Sequence, residues 1–164
     1  MDVVTFLPAG DPWQKSDGRQ VTAASIRCEM LEAATASTDY FEVDRREVER
    51  DGPTYTWDTV ESFPDDEVIL ILGADAAAGV ATWHRGSDLI ERVSIAVARR
   101  PGTIDSAVTG VLDDVYWLRM PSLDISSTEL REWRRSGFSA RFLIPDAVRA
   151  VIDRHGLYSD GTQT

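Results

Sequence analysis

Val68-Ile69-Leu70-Ile71-Leu72 runs directly into Gly73-Ala74-Asp75. Five apolar residues with no polar one interposed form the pattern of a strand covered on both faces, as in a parallel sheet held between helices. Glycine at the strand's end lets a ligand approach the backbone closely, and the acid beside it can accept hydrogen bonds from ribose hydroxyls. An aspartate placed there also serves as a cap for the next helix, so Gly73 and Asp75 are ligand candidates alongside that plainer role.

On either side of this run, further short segments rich in β-branched and aromatic residues occur at Val3 to Leu7, Phe41 to Val43, Ser94 to Ala98 and Val115 to Leu118. These read as strands. Helical patterns lie between and after them. Thr22 is placed to cap a helix with Ile26, Met30, Leu31 and Ala34 on one side, and Ser87 to cap a short one carrying Leu89, Ile90 and Val93. Ser126 followed three residues later by Glu129 is a capping-box pattern opening a helix through Trp133, with Gly137 beyond it as the stop. Pro145 suits the first turn of a last helix through Arg154, with His155 near its negative end and Gly156 just past it. Strands alternating with helices predict an α/β fold with a mostly parallel sheet.

The 164 residues suffice for one domain, here expected over residues 1–158, with a polar tail at 159–164. Seventeen Lys and Arg against 28 Asp and Glu leave a net charge of -11, which argues against generic binding to nucleic acid or to an anionic membrane. Cys28 stands alone, so neither an internal disulfide nor a thiolate zinc cage can form, and a reducing cytoplasm is the expected compartment. The chain opens directly on a β-type run. It carries no basic region followed by an apolar stretch and no window of about 18 uninterrupted apolar residues, so it reads as neither targeted nor membrane-spanning. A homo-oligomer is left open. Two polar loops, Gly10 to Gln20 and Arg99 to Ser106, each follow a strand and each carry positive charge, the position from which loops of a parallel sheet line a ligand crevice.

Among the segments that bear chemistry, Ile125-Ser126-Ser127-Thr128-Glu129-Leu130-Arg131 is the most specific. Backbone N–H groups, hydroxyls and one arginine converge at a helix start, where the dipole favours an anion. The plainer reading is a well-capped helix. In Thr82-Trp83-His84-Arg85 an indole can stack on a planar heteroaromatic ring and an arginine can pair with a carboxylate or phosphate, although a lone tryptophan is more often a packing residue. Gly52-Pro53-Thr54-Tyr55-Thr56 is a turn with Thr56 as a helix cap. His84 and His155 have no partner at metal-ligand spacing, and Cys28 next to Arg27 reads as a small buried hydrophobe. No Gly-x-Ser-x-Gly elbow, phosphate loop ending in Gly-Lys-Ser/Thr or Gly-x-Gly-x-x-Gly occurs, so covalent catalysis has no candidate nucleophile.

Taken in order, Pro8-Ala9-Gly10-Asp11-Pro12-Trp13-Gln14-Lys15, Asp51 to Thr59, Leu72 to Asp75, Thr82 to Arg85, Arg99-Arg100-Pro101-Gly102 and Ile125 to Arg131 resemble the bacterial nicotinate-nucleotide adenylyltransferases, from Met1 to about Tyr158. The Ser-Ser-Thr motif is shared across the nucleotidyltransferase superfamily, whereas Gly-Pro-Thr-Tyr-Thr and Thr-Trp-His-Arg resemble the nicotinate-specific branch. The resemblance implies a Rossmann-like fold and transfer of the adenylyl group of ATP, with Mg2+, to nicotinate mononucleotide, giving deamido-NAD and pyrophosphate. It implies that Ser126, Ser127, Thr128 and Arg131 hold the ATP phosphates, with Gly73 and Asp75 on the adenosine side and Ile125 also binding ATP. By the same resemblance, Trp83 stacks on the pyridine ring. The backbone around Thr54, Tyr55 and Thr56, with His84 and Arg100, reads its carboxylate, and Lys15 approaches the mononucleotide phosphate.

One departure accompanies this match. The family opens with a strand, a Gly-rich loop and a His-x-Gly-His pair, and this sequence has none of them, so its first strand-loop-helix unit is missing and no catalytic residue is assigned. Loss of a central strand is expected to leave the neighbouring strands with unpaired backbone and exposed apolar faces. Two readings follow: an adenylyltransferase sequence whose start lies further upstream, or a non-catalytic nucleotide-binding module. A related adenylyltransferase, such as one acting on phosphopantetheine, is a third.

Overall fold

The computed structural model describes residues 3–10, 21–99, 104–121 and 123–159. In chain order the elements are β1 (Val4–Phe6), α1 (Ala24–Thr35), β2 (Phe41–Val43), α2 (Arg46–Glu49), α3 (Thr56–Glu61), β3 (Ile69–Gly73) and α4 (Ala74–Ala78). A single 3-10 turn at Val80–Thr82 follows, then α5 (Gly86–Arg92), β4 (Ser94–Ala98), α6 (Asp105–Thr109), β5 (Tyr116–Leu118), α7 (Ser127–Arg135) and α8 (Asp146–Arg154). All five predicted strands are present within a residue or two, and every pairing among them is parallel.

The chain divides into two compact units, Met1–Thr54 with Ile125–Thr164, and Tyr55–Asp124. In the first, β1 pairs with β2 through Val4↔Phe41, Thr5↔Glu42 and Phe6↔Val43. Helices α1 and α8 pack together, joined by Glu29, whose carboxylate meets Arg154 at 2.9 Å and the His155 imidazole at 2.7 Å. His155 is the C-cap of α8, the position that favours a cation, and Gly156 beyond it takes φ +58.

The second unit holds a three-stranded sheet in the order β3-β4-β5, with the crossovers that parallel neighbours require supplied by α4 and α5 and then by α6. Its core gathers Trp57, Val60, Ala77, Val80, Leu89, Ile95, Val97, Val108 and Leu112, with Leu70 and Leu72 packed against them. The other face of β3 is open. Ile69 and Ile71 are 45% and 48% exposed, so the expectation of a strand covered on both faces is corrected: among the described residues β3 is an edge strand, and side chains alternate between a packed face and an unpacked one.

Several caps also differ from expectation. Thr22 does not cap α1; Ala23 holds that position, and the Thr22 hydroxyl hydrogen-bonds the Tyr158 hydroxyl at 2.9 Å. The buried side of α1 is that of Cys28 and Thr35, while Ala34 is exposed. Ser87 lies inside α5, whose N-cap is Arg85. Pro145 is the N-cap of α8 rather than part of its first turn, and Tyr55 rather than Thr56 is the N-cap of α3. At α7 the expected cap forms: the Ser126 hydroxyl accepts from the Glu129 N–H at 3.1 Å. That helix runs on to Arg135 before Gly137 turns at φ +79.

Candidate active site

In the unit containing the three-stranded sheet, Gly73 closes β3 opposite Ala98 of β4, so both lie at the C-terminal ends of parallel strands, where open α/β sheets bind ligands. Gly73 is the N-cap of α4, and a Cβ built on it would meet nothing within 4 Å. The chain itself therefore does not require glycine there. Asp75 is an exposed first-turn residue of α4 rather than its cap. A cavity of about 430 Å³ bordered by Ser94, Asp113 and Val115 opens at the N-terminal ends of β4 and β5, the opposite end of the sheet from Gly73.

The Trp83-His84-Arg85 turn faces the start of α3 within the same unit. The His84 ring lies 4.4 Å from that of Tyr55, centroid to centroid, tilted by 33°. Trp83 is half-buried and packs against the core cluster, as its plainer reading expects, and part of its surface stays accessible. Thr56 opens α3. Beyond β4, the Arg99 guanidinium sits 4.3 Å over the Trp117 ring and ion-pairs Asp105 at 2.7 Å. Arg100 and Lys15 lie outside the described residues.

The other unit carries Thr54 and the Ile125 to Arg131 segment. Ile125, Ser126, Ser127 and Thr128 are exposed, with the first-turn N–H groups of α7 free to meet an anion once Ser126 has taken that of Glu129. Arg131 reaches back one turn to the Thr128 hydroxyl at 3.4 Å, which sets its charge beside the hydroxyls. Thr54 is half-buried, its methyl 3.5 Å from where a Gly10 Cβ would stand. The same added Cβ would collide with the Glu47 carbonyl, so only glycine fits at position 10. The Gly10 and Ala9 carbonyls both accept from the Arg27 guanidinium.

Cys28 is fully buried, and burial, reinforced by the Glu32 carboxylate, pushes its thiol up and away from the reactive thiolate. Among the described residues no three His, Cys, Asp or Glu side chains gather as metal ligands. The candidate residues described offer exposed hydroxyls, backbone N–H groups, aromatic faces, the His84 imidazole, the Asp75 carboxylate and arginine cations.

A family model described as Cytidylyltransferase-like matches residues 1–133. The protein described as "Probable nicotinate-nucleotide adenylyltransferase" from Salinibacter ruber is 40% identical over 163 residues, which span 96% of this chain and 83% of the relative. The chain belongs to the nicotinate-nucleotide adenylyltransferase family. A member of the same description from Corynebacterium kroppenstedtii is 38% identical, covering 96% of this chain and 77% of its own. The fold agrees with that of Plasmodium falciparum nicotinic acid mononucleotide adenylyltransferase complexed with NaAD, at a TM-score of 0.75 and 17% identity over 96% of this chain and 83% of the other. The two chains thereby share a Rossmann-like α/β architecture at low sequence identity. The contacts of Arg85 with Trp57 and Glu61 left no signal in the sequence, because residues 28 and 24 apart leave no periodic trace.

Proposed function

We infer that this chain catalyses adenylyl transfer from ATP to nicotinate mononucleotide, releasing pyrophosphate and forming deamido-NAD in NAD biosynthesis, in the cytoplasm. Its membership of the family, at 40% identity to a relative of that description over nearly its whole length, carries this reading. Residues 1–158 are read as the nucleotidyltransferase domain and 159–164 as its polar tail.

In the reaction an oxygen of the mononucleotide phosphate attacks the α-phosphorus of ATP, and the bond from that phosphorus to the bridging oxygen of pyrophosphate breaks. Little covalent chemistry falls to the protein, so positioning and charge stabilisation carry the rate. ATP enters as its magnesium complex, the ion held by phosphate oxygens. The exposed start of α7, with Ile125, Ser126, Ser127, Thr128 and Arg131, supplies donors of the kind that hold those phosphates. Gly73 and Asp75 are assigned to the adenosine side, an assignment that the open space above Gly73 supports. Trp83 is assigned to stacking on the pyridine ring. His84, beside the Tyr55 ring, and the backbone around Thr54, Tyr55 and Thr56, with Arg100, are assigned to the ring's carboxylate, and Lys15 to the mononucleotide phosphate.

Pyrophosphate release assayed with ATP and nicotinate mononucleotide, beside calorimetric titration of each, tests the reading. Turnover that needs both supports it. Binding of both without turnover points to a non-catalytic module, and turnover with phosphopantetheine in place of the mononucleotide to the related enzyme. Trp83→Ala is expected to weaken mononucleotide binding by about tenfold, the value of one aromatic stack, and to leave ATP binding unchanged.

A further inference from the structure

We propose that Arg85 is a positioning residue for mononucleotide recognition, a clamp that fixes the Trp83-His84 turn to the start of α3. The proposal rests on the assignment of Trp83 to the nicotinate ring and of His84 and Tyr55 to its carboxylate.

Two adjacent residues of the turn meet two aromatic residues at the start of α3, its N-cap Tyr55 and Trp57. His84 lies on Tyr55, and the Arg85 guanidinium carbon stands 4.0 Å over the ring of Trp57. The same guanidinium donates to Asp88 at 2.6 Å and reaches Glu61 at 3.5 Å, so one side chain joins the last residue of α3, an α3 ring and the first turn of α5. Trp57 is a firm anchor: it is 9% exposed and belongs to the core cluster.

The backbone at this point is unusual. Arg85 takes φ +53, ψ +39, and among the described residues of its unit it is the one non-glycine residue with positive φ. That region is open to glycine, and in lesser degree to Asn and Asp, so an arginine held there implies that its side chain is what the position needs. The turn is closed on both sides, since the Gly86 N–H donates to the Trp83 carbonyl at 2.9 Å and a Cβ on Gly86 would strike the Val80 carbonyl.

Stability alone does not explain the clamp. Its ion pairs are about half exposed, with Arg85, Glu61 and Asp88 side chains at 46%, 55% and 48%, and pairs of that kind add little to folding. What they do add is direction, because a planar guanidinium that stacks on an indole and forks to carboxylates has one orientation. Lysine lacks that plane.

The full chain is tested with Arg85→Ala, Arg85→Lys and Arg85→Asn, the last tolerating the left-handed backbone while removing the clamp. One readout is the proton spectrum of His84, distinguishable because the sequence has 2 histidines and His155→Gln assigns the other. The ring current of Tyr55 shifts the His84 resonances in the unmodified protein, and Arg85→Ala and Arg85→Asn are expected to return them toward free histidine. The second readout is calorimetric: both variants are expected to lose about tenfold in nicotinate mononucleotide affinity with ATP affinity held within about twofold, Arg85→Lys falling between. Mononucleotide affinity unchanged in both variants, or an equal loss for ATP, overturns the proposal. If Trp83→Ala leaves mononucleotide affinity unchanged, the underlying assignment fails. The His84 spectrum then still reports whether Arg85 holds the turn, and a clamp with no consequence for the ligand overturns the proposal as well. An unmodified chain that binds no mononucleotide overturns both together.

Discussion

A Cβ added to Gly86 would stand 2.4 Å from the carbonyl oxygen of Val80, and 2.9 Å from the carbonyl carbon and oxygen of Ala81. These are backbone atoms of the 3-10 turn and cannot rotate aside. Gly86→Ala is therefore expected to destabilise the unit that holds it by about 1–3 kcal/mol, the range seen for overpacked interiors. Gly79→Ala is the control, its nearest contacts being 3.7 and 3.9 Å away, and should change stability by less than about 1 kcal/mol. Urea unfolding followed by tryptophan fluorescence compares the two, and equal midpoints would refute the packing argument.

Gly73 offers the opposite case. With open space where its Cβ would lie and φ at -71, Gly73→Ala should fold as stably as the parent. If adenosine passes over this point, the added methyl group and, more strongly, the branched side chain of Gly73→Val should weaken ATP binding by about tenfold or more. ATP affinity that is unchanged in Gly73→Val removes Gly73 from the site.

Ser126 and Ser127 separate capping from ligand binding. Ser126→Ala deletes the acceptor of the Glu129 N–H and is expected to cost about 1 kcal/mol of stability. Ser127→Ala touches no cap contact and should leave stability alone, yet lower ATP affinity by about tenfold if its hydroxyl meets a phosphate, since hydrogen bonds to charged groups are worth roughly 1.5–3 kcal/mol. Thermal unfolding with and without ATP reads both effects.

Asp44 sets a test in pH. Partial burial pushes its carboxyl up, but hydrogen bonds from the Arg46 side chain and N–H, with the arginine's charge, outweigh burial and hold it below the ordinary value. A group whose folded pKa is depressed contributes stability above its unfolded pKa and loses it as pH falls through the folded one. Asp44→Asn should accordingly cost about 1–2 kcal/mol near neutrality, and the gap to the parent should narrow as pH falls below the ordinary aspartate value of about 3.9 and through the lowered folded one. A gap that persists in acid would show that the amide fails for a reason other than charge.

Local features were the legible ones. The strands at Phe41–Val43 and Ser94–Ala98 begin and end as the apolar runs do, because a β-branched run bounded by polar residues has few other ways to bury itself. The Ser126 cap was legible for the same reason: its donor and acceptor are three residues apart. The cap expected from Thr22 did not form because its hydroxyl bonds Tyr158 across the fold, and Ser87 caps nothing because α5 already begins at Gly86, after the turn at Arg85.

By itself the sequence determined the alternation of strands and helices, the parallel pairing that alternation demands, the lone buried thiol, and the motifs that mark the family. All of these depend on residues near one another in the chain, or on composition. Only the tertiary structure decided that Ile69 and Ile71 stand on an open face, that Tyr55 supports His84, and that Arg85 spans Trp57, Glu61 and Asp88. Exposure and long-range contact are set by which elements pack together, and the energy of each such contact is small beside the burial of the core that brings the elements into place.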